Sequence, residues 1–366
     1  MPKDISQIDP NFAVETVCNL PVRFYCVRNA PFSLHGLCDP QDGGAYHRLP
    51  ADVAQATNDG VAGLAYHTSG GRVRFRTDSS YLVLKTRMSY VGLMPHMTLI
   101  GCSGLDVYVT TPEGERYQGS CSISWGNDAA IRATENRGYV NEVRFDERYG
   151  GMKDVTVNLP LYNGLDELYV GLAPDAKLDA AAGYRDLPPT VYYGSSITQG
   201  GCASRPGNNY PAILSRRFGV DFLNLGFSGS ARGEEAIANY IARLPMSSFV
   251  YAYDHNAPTV EHLSATHEAM YKTIRAAHPH IPVIFITRPK PYYNKEEIAR
   301  REVVLKTYEN ALDRGEWVYF VDGERVSDIL GGDGITVDGC HPNDLGFACV
   351  AAALEPLFTE IYESKQ

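Results

Sequence analysis

The sequence contains no C-x-x-C pair and no zinc-finger spacing, so its eight cysteines (18, 26, 38, 102, 121, 202, 340 and 349) do not announce a structural metal. Their even number permits disulfides. It also lacks a basic excess. With 33 Lys+Arg against 43 Asp+Glu the net charge is −10, which argues against nucleic acid or an anionic membrane as a main partner. No uninterrupted apolar run approaches the roughly 20 residues of a membrane-spanning helix. Met1-Pro2-Lys3-Asp4-Ile5-Ser6 has no apolar segment behind it, so no secretory leader is visible. The expectation is a cytoplasmic protein with reduced thiols acting as small hydrophobes, although a trimmed secreted chain would read the same. Neither a metal nor a cofactor is expected.

What is present is an ordinary globular composition, 44% hydrophobic and 21% charged, on 366 residues, a length that suggests two domains. The first half alternates short apolar strands with Gly/Pro/Asn/Asp turns, as in Val73–Thr77, Tyr81–Thr86, Leu105–Val109, Val140–Phe145 and Val155–Leu159. Period-two alternation predicts an all-β sandwich, jelly-roll-like, without a helix of ordinary length. The pattern dissolves between Pro174 and Pro189, so the expected domains are 1–180 and 181–366. Beyond that, strands at 190–193, 221–225, 247–253, 282–287 and 316–321 alternate with helical patterns. Ile237, Ile241 and Leu244 would share one helix face, and Leu263, Met270, Ile274 and Ala277 another. Asn294 and Asn343 would cap later helices. Such alternation predicts a parallel sheet covered on both faces, a three-layer α/β/α fold.

Two stretches carry chemistry. Val191-Tyr192-Tyr193-Gly194-Ser195-Ser196 ends a strand at a glycine and shows two serines where open α/β sheets keep their sites. A serine there is a nucleophile or a turn residue, and the stretch alone does not choose. Near the C-terminus, Asp338-Gly339-Cys340-His341-Pro342-Asn343 can fold a carboxylate onto one imidazole nitrogen and turn the other outward; a plain capped turn is the competing reading. The G-x-S-x-G elbow of α/β-hydrolases is missing.

Gly194-Ser195-Ser196-Ile197-Thr198-Gln199-Gly200 resembles block I of the SGNH (GDSL) hydrolases. Asn224-Leu225-Gly226-Phe227-Ser228-Gly229 resembles block II, Asp254-His255-Asn256 block III, and Asp338-Gly339-Cys340-His341-Pro342 block V. The resemblance implies a flavodoxin-like hydrolase domain with Ser196 as nucleophile, His341 as base and Asp338 as its orienter. It also implies Gly229 (main-chain N–H) and Asn256 (side-chain amide) as oxyanion donors. Gly104-Leu105-Asp106-Val107-Tyr108 resembles the GxDLY-type β-domain that accompanies some of these enzymes. The sequence departs from the pattern at Ser195, where the family usually has an acid, and at Asp254 and Ala257 in block III.

The expected function is serine-esterase hydrolysis of a small acyl ester, an O-acetyl group on a carbohydrate, with a small-molecule or oligosaccharide partner and no fixed oligomeric state. Rivals are an acyltransferase with the same triad and a carbohydrate-binding protein whose hydrolase domain is inert. Arg205, His255 and Arg288 are candidate substrate contacts, each weighed against a surface ion pair, strand-end packing or a structural loop. Trp125 is a candidate sugar platform against a core aromatic. Gly331-Gly332-Asp333-Gly334 reads as a turn, since EF-hand spacing is missing.

Overall fold

The computed structural model describes residues 14–123 and 137–363; Trp125 lies outside them. In the first half, alternating apolar side chains close two antiparallel sheets on each other. One runs, in spatial order, Val14–Val17, Leu20–Cys26, Glu167–Leu172, Tyr81–Arg87 and Val140–Arg144. The other runs Leu178–Asp179, Arg72–Thr77, Lys153–Asn158, Leu105–Thr111 and Gly114–Cys121, with Ser33–His35 also paired to Arg72–Thr77. Val73, Phe75, Val107 and Val155 from the second sheet meet Leu82, Leu84, Leu168 and Val170 from the first in one core. The helices described here are short: Ala51–Thr57, Asp59–Leu64 and Leu99–Ser103. Asn58 and Thr98 start the last two by accepting the N–H of Val61 and Gly101.

The second half is a parallel sheet. Its strands Thr190–Gly194, Phe222–Gly226, Ser248–Ala252, Val283–Ile286 and Val318–Val321 lie in the order second, first, third, fourth, fifth. Tyr210–Phe218 and Asp344–Glu363 cover one face, and Glu235–Ile241, Val260–Ala277 and Lys295–Asp313 the other. This is the expected three-layer, flavodoxin-like arrangement, and its order reverses at Thr190–Gly194, the place where such sheets open a crevice.

Three expectations need correction. Leu244 packs on the core but lies past the end of its helix, in the turn that follows Ile241. Ala277 is exposed; the stripe of Val260–Ala277 continues instead through His267 and Tyr271, which hold the helical spacing between Leu263 and Ile274. Asp344–Glu363, with mean hydropathy 1.4, is long and apolar enough by composition to cross a membrane. Run length missed it because scattered polar residues interrupt it; Phe347, Val350, Leu354 and Phe358 bury that apolar face on the protein's own core. Asn294 forms a full capping box with Glu297, and Asn343 accepts from Gly346 N–H at 3.0 Å.

Sheet strands stop at Asp179 and resume at Thr190, but the cores do not divide there. Leu49, Ala54, Val61 and Ala65 belong to the core on one face of the parallel sheet. Met97, Cys102, Leu161 and Tyr162 belong to the core on the other. Asp106, fully buried, accepts Gly207 N–H at 2.8 Å and Asn158 Nδ2–H at 2.8 Å, so the acid of the Gly104–Tyr108 motif clamps the turn Pro206–Asn208 of the second half. Asp221 is held in the same way by Arg72 and His35.

Candidate active site

The Thr190–Gly194 strand must bend sharply to offer a side chain, and Gly194 is what lets it. A Cβ there would sit 2.2 Å from Thr198 Oγ1 and 2.5 Å from Ala252 O. Ser195 then caps a single helical turn, Ser196–Gln199, its hydroxyl accepting Ile197 N–H at 3.2 Å. An aspartate would accept the same bond, which gives the serine at this position a physical reading. Gly226 supplies room from the neighbouring strand, because a Cβ there would lie 2.2 Å from Gln199 N. Ser196 opens the turn, 5% exposed.

The structure brings Ser196, His341 and Asp338 together across the sheet edge. Ser196 Oγ lies 3.0 Å from His341 Nε2, and His341 Nδ1 lies 2.8 Å from Asp338 Oδ2. With the proton on Nδ1, the ring donates to the carboxylate and accepts the serine hydroxyl. The loop is set by Asp338 itself, whose Oδ1 accepts the N–H groups of Cys340 at 2.9 Å and His341 at 2.8 Å, while Gly339 takes a left-handed φ of 77°. Gly201 keeps the ring's place open: a Cβ would stand 3.3 Å from His341 Cδ2 and 2.8 Å from Tyr162 Oη. Burial alone would raise the Asp338 pKa, but the His341 and Cys340 N–H groups and the imidazole outweigh it and hold it down at about 2. The His341 pKa is raised to about 9, by the Cys340 thiol first, against burial, and then by Asp338. The thiol sits 3.9 Å from Nε2, too far for a strong bond, so orientation rests on Asp338.

Asn256 and the turn that carries Gly229 are held by one carbonyl. Phe227 O accepts Asn256 Nδ2–H at 3.0 Å and the N–H groups of Ser230 at 3.0 Å and Ala231 at 3.2 Å. Asn256 keeps a second amide hydrogen, and the bonds of the turn leave the Gly229 N–H out. Gly229 is at φ 67°, with open space where a Cβ would be.

The candidate substrate contacts separate. Arg205 stacks 3.9 Å over the Tyr117 ring and faces buried Asp106 at 3.9 Å, which ties it to the junction with the sandwich. His255 bonds to Asp254 through Nδ1 at 3.1 Å, and its Nε2 is buried without a partner. Arg288 bonds to Glu297 at 2.9 Å and stands beside Cys340. His255, Arg288 and Ser195 line a pocket of about 10 Å³, the space of one water. Gly332–Ile335 is a 3₁₀ turn ahead of the Asp338 loop.

Motif reading missed the residues that the first half contributes. Arg48, 3% exposed, donates to the carbonyls of Leu64, His67, Asn224 and Gly226 and so holds the strand end that leads to Gly229. Tyr162 Oη donates to Ser196 O at 3.2 Å. Gln199, fully buried, donates to His67 Nδ1 and Leu161 O and accepts Ser228 N–H, linking block I to block II and to the sandwich. His96 lies with its ring centroid 5.4 Å from that of His341. Apart from Gln199, which stands in block I, no motif carries these residues. The hydrogen-bonded partners lie from 16 to 178 positions apart, with no fixed spacing that a motif could show.

The GDSL-like lipase/acylhydrolase family model matches residues 188–359, and the model for the N-terminus of SGNH-hydrolase-type esterases matches residues 22–178. No curated protein matches the chain. Among solved structures, a GDSL-like lipase from Bacteroides ovatus is 26% identical with a TM-score of 0.81, covering 94% of this chain and 99% of its own. A salicylyl-acyltransferase from a tetracycline biosynthetic pathway is 22% identical with a TM-score of 0.74, covering 93% and 97%. A family two carbohydrate esterase from Clostridium thermocellum, in complex with cellohexaose, is 14% identical with a TM-score of 0.58, covering 80% and 92%. The last two share the fold.

Proposed function

Because the chain joins a GDSL-like lipase/acylhydrolase domain to the N-terminus of an SGNH-type esterase, we propose that this ester hydrolase cleaves a small acyl ester through an acyl-enzyme on Ser196. The ester proposed is an O-acetyl group on a carbohydrate. The observation that carries the reading is the continuous pair of contacts Ser196 Oγ–His341 Nε2 at 3.0 Å and His341 Nδ1–Asp338 Oδ2 at 2.8 Å.

Each group then has one task. The neutral form of His341, whose share grows as the pH rises toward about 9, takes the hydroxyl proton as Ser196 Oγ attacks the ester carbonyl. Asp338 keeps the tautomer and steadies the imidazolium, and the neighbouring Cys340 favours that same charged form. The N–H of Gly229 and the second amide hydrogen of Asn256 receive the developing oxyanion; a donor of this kind is worth about 10²–10³ in rate. His341 returns the proton to the leaving alcohol, and water repeats the cycle on the acyl-enzyme. The carbohydrate part of the reading leans on fold-level likeness to carbohydrate esterases, among them an acetyl xylan esterase from Butyrivibrio proteoclasticus.

The test is turnover of a short-chain aryl acetate and of an acetylated oligosaccharide by the wild type and by Ser196→Ala. Loss of about 10⁴-fold or more in kcat, with the melting temperature unchanged, is expected. Equal turnover by the two proteins would sink the triad. Added alcohols that appear as acylated product would replace hydrolysis by acyl transfer, with the same residues.

A further inference from the structure

The base of the proposed triad is also the centre of a cluster that the esterase reaction does not use. His96, Cys202 and His341 each bring one ligand atom to a common spot, all within 4.8 Å of one another. The three come from distant places: a loop of the first half, the turn after the nucleophile helix, and the Asp338 loop. Tetrahedral zinc with nitrogen ligands at 2.0–2.1 Å and sulfur at 2.3 Å needs ligand separations of roughly 3.3–3.8 Å, so side-chain shifts of about 1 Å close the set. We propose that His96, Cys202 and His341 form an inhibitory site for a zinc-like divalent cation, which shuts the esterase off by occupying the Nε2 of its base.

Three features of the surroundings support coordination rather than mere proximity. His341 Nδ1 is already engaged by Asp338 at 2.8 Å, so the nitrogen left for a metal is Nε2, and the carboxylate–imidazole–metal order is the one that orients ligating histidines. His96 and Cys202 both line a groove of about 410 Å³, which gives a hydrated ion a route to the spot. Cys202 and the two imidazoles are soft and borderline donors, which select zinc or cobalt over magnesium or calcium. The fourth position falls to water. Cys340 is near, with Sγ 3.9 Å from Nε2, but Arg288 stands beside it and repels a cation on that side.

The chemistry balances simply. Cys202, whose thiol pKa burial pushes up to about 12, gives its proton to solvent as the S–metal bond forms, protonated His341 gives up its Nε2 proton in the same way, and the metal loses waters in exchange; no electron moves. Occupation places the Nε2 lone pair in the metal bond, so Ser196 has no base. This inhibition rests on the reading of His341 as that base, whereas the binding itself does not.

Two measurements on the full chain test it. Zinc titrated into the aryl-acetate assay is expected to inhibit the wild type, with a chelator restoring turnover, and the concentration for half inhibition is expected to rise at least tenfold in His96→Ala and in Cys202→Ala. Cobalt(II) titrated without substrate is expected to give a thiolate charge-transfer band that Cys202→Ala lacks and Ser196→Ala keeps. Inhibition of equal strength in all three proteins, or cobalt binding without the band, overturns the site. A band with full turnover in its presence overturns the inhibition. Failure of the esterase reading shows separately, as metal-free turnover that survives Ser196→Ala while the cobalt band persists.

Discussion

The two halves of the molecule spend their residues differently. The sandwich closes a core of its own, in which Val73, Phe75, Leu82, Leu84, Val107 and Val157 meet with no side chain from beyond residue 180. The parallel-sheet half does not: both of its helix-covered faces are completed by residues of the first half. It carries Ser196, Asp338 and His341 itself, but its stability is borrowed. Leu49, Val61, Met97 and Leu161, all buried there, would each contribute about 1.5–3 kcal/mol, together about 6–12 kcal/mol. That matches the whole net stability of an ordinary domain, about 5–15 kcal/mol.

The largest effect expected is therefore a failure of the second half to stand alone. Residues 181–366 expressed by themselves should lack a cooperative thermal transition and turn over no ester, while residues 1–180 should melt cooperatively as a β protein by circular dichroism. A soluble, cooperatively melting and active 181–366 fragment would remove the asymmetry.

Much of the second half could be read beforehand for a physical reason. A parallel strand buried on both faces is a short apolar run, and its end must turn without a Cβ, so Gly194 and Gly226 mark two strand ends directly. Ser196, Asp338 and His341 sit in turns whose geometry is made within three or four residues, so spacing made them candidates and the family resemblance chose among the readings. The bracing of those turns could not be read. Arg48 bonds to main-chain carbonyls, which every residue has, and nothing in its neighbours distinguishes it from a surface arginine. Arg205 shows the opposite limit: its place beside the Ser196 turn offered a substrate contact or an ion pair, and the partners that face it, Asp106 and Tyr117, are about a hundred residues away.

Arg48 sharpens the comparison at a single residue. Its guanidinium is buried, and burial lowers its pKa to about 9. Met would fill part of the space and leave the carbonyls of Leu64, His67, Asn224 and Gly226 short of donors. Arg48→Met should lose at least about 1–3 kcal/mol in urea unfolding, the cost of leaving a buried acceptor unpaired. Turnover should fall as well, because Gly226 leads into the Phe227 carbonyl that holds Asn256 and the turn through Ser230 and Ala231. Lys would not rescue it, since one ammonium cannot fork between two sets of carbonyls. A variant that unfolds at the wild-type urea concentration would show that the junction carries little of the stability.

The smallest effect lies within the second half, away from the junction. His267 is 1% exposed, stacked 4.5 Å from Tyr251, with Nδ1 2.8 Å from Thr307 Oγ1. Burial lowers its pKa to about 3, against the opposing pull of Asp254 and Glu268. In the unfolded chain it titrates near 6.5. Between those values the unfolded chain binds the proton and the folded one does not. The neutral ring's contribution is thus complete above pH 6.5 and is lost as the pH falls toward 3, at up to about 1.4 kcal/mol per pH unit. From pH 7 to pH 5 that is about 2 kcal/mol for this one residue. His67, also lowered to about 3 by burial and by the Arg48 charge, adds a similar slope from the junction. His267→Phe keeps the stacking and removes one of the two slopes, so its urea midpoint should drop less than that of the wild type between pH 7 and pH 5. If the two proteins lose stability in parallel, the acid sensitivity resides at the junction, and the parallel-sheet core is indifferent to protonation.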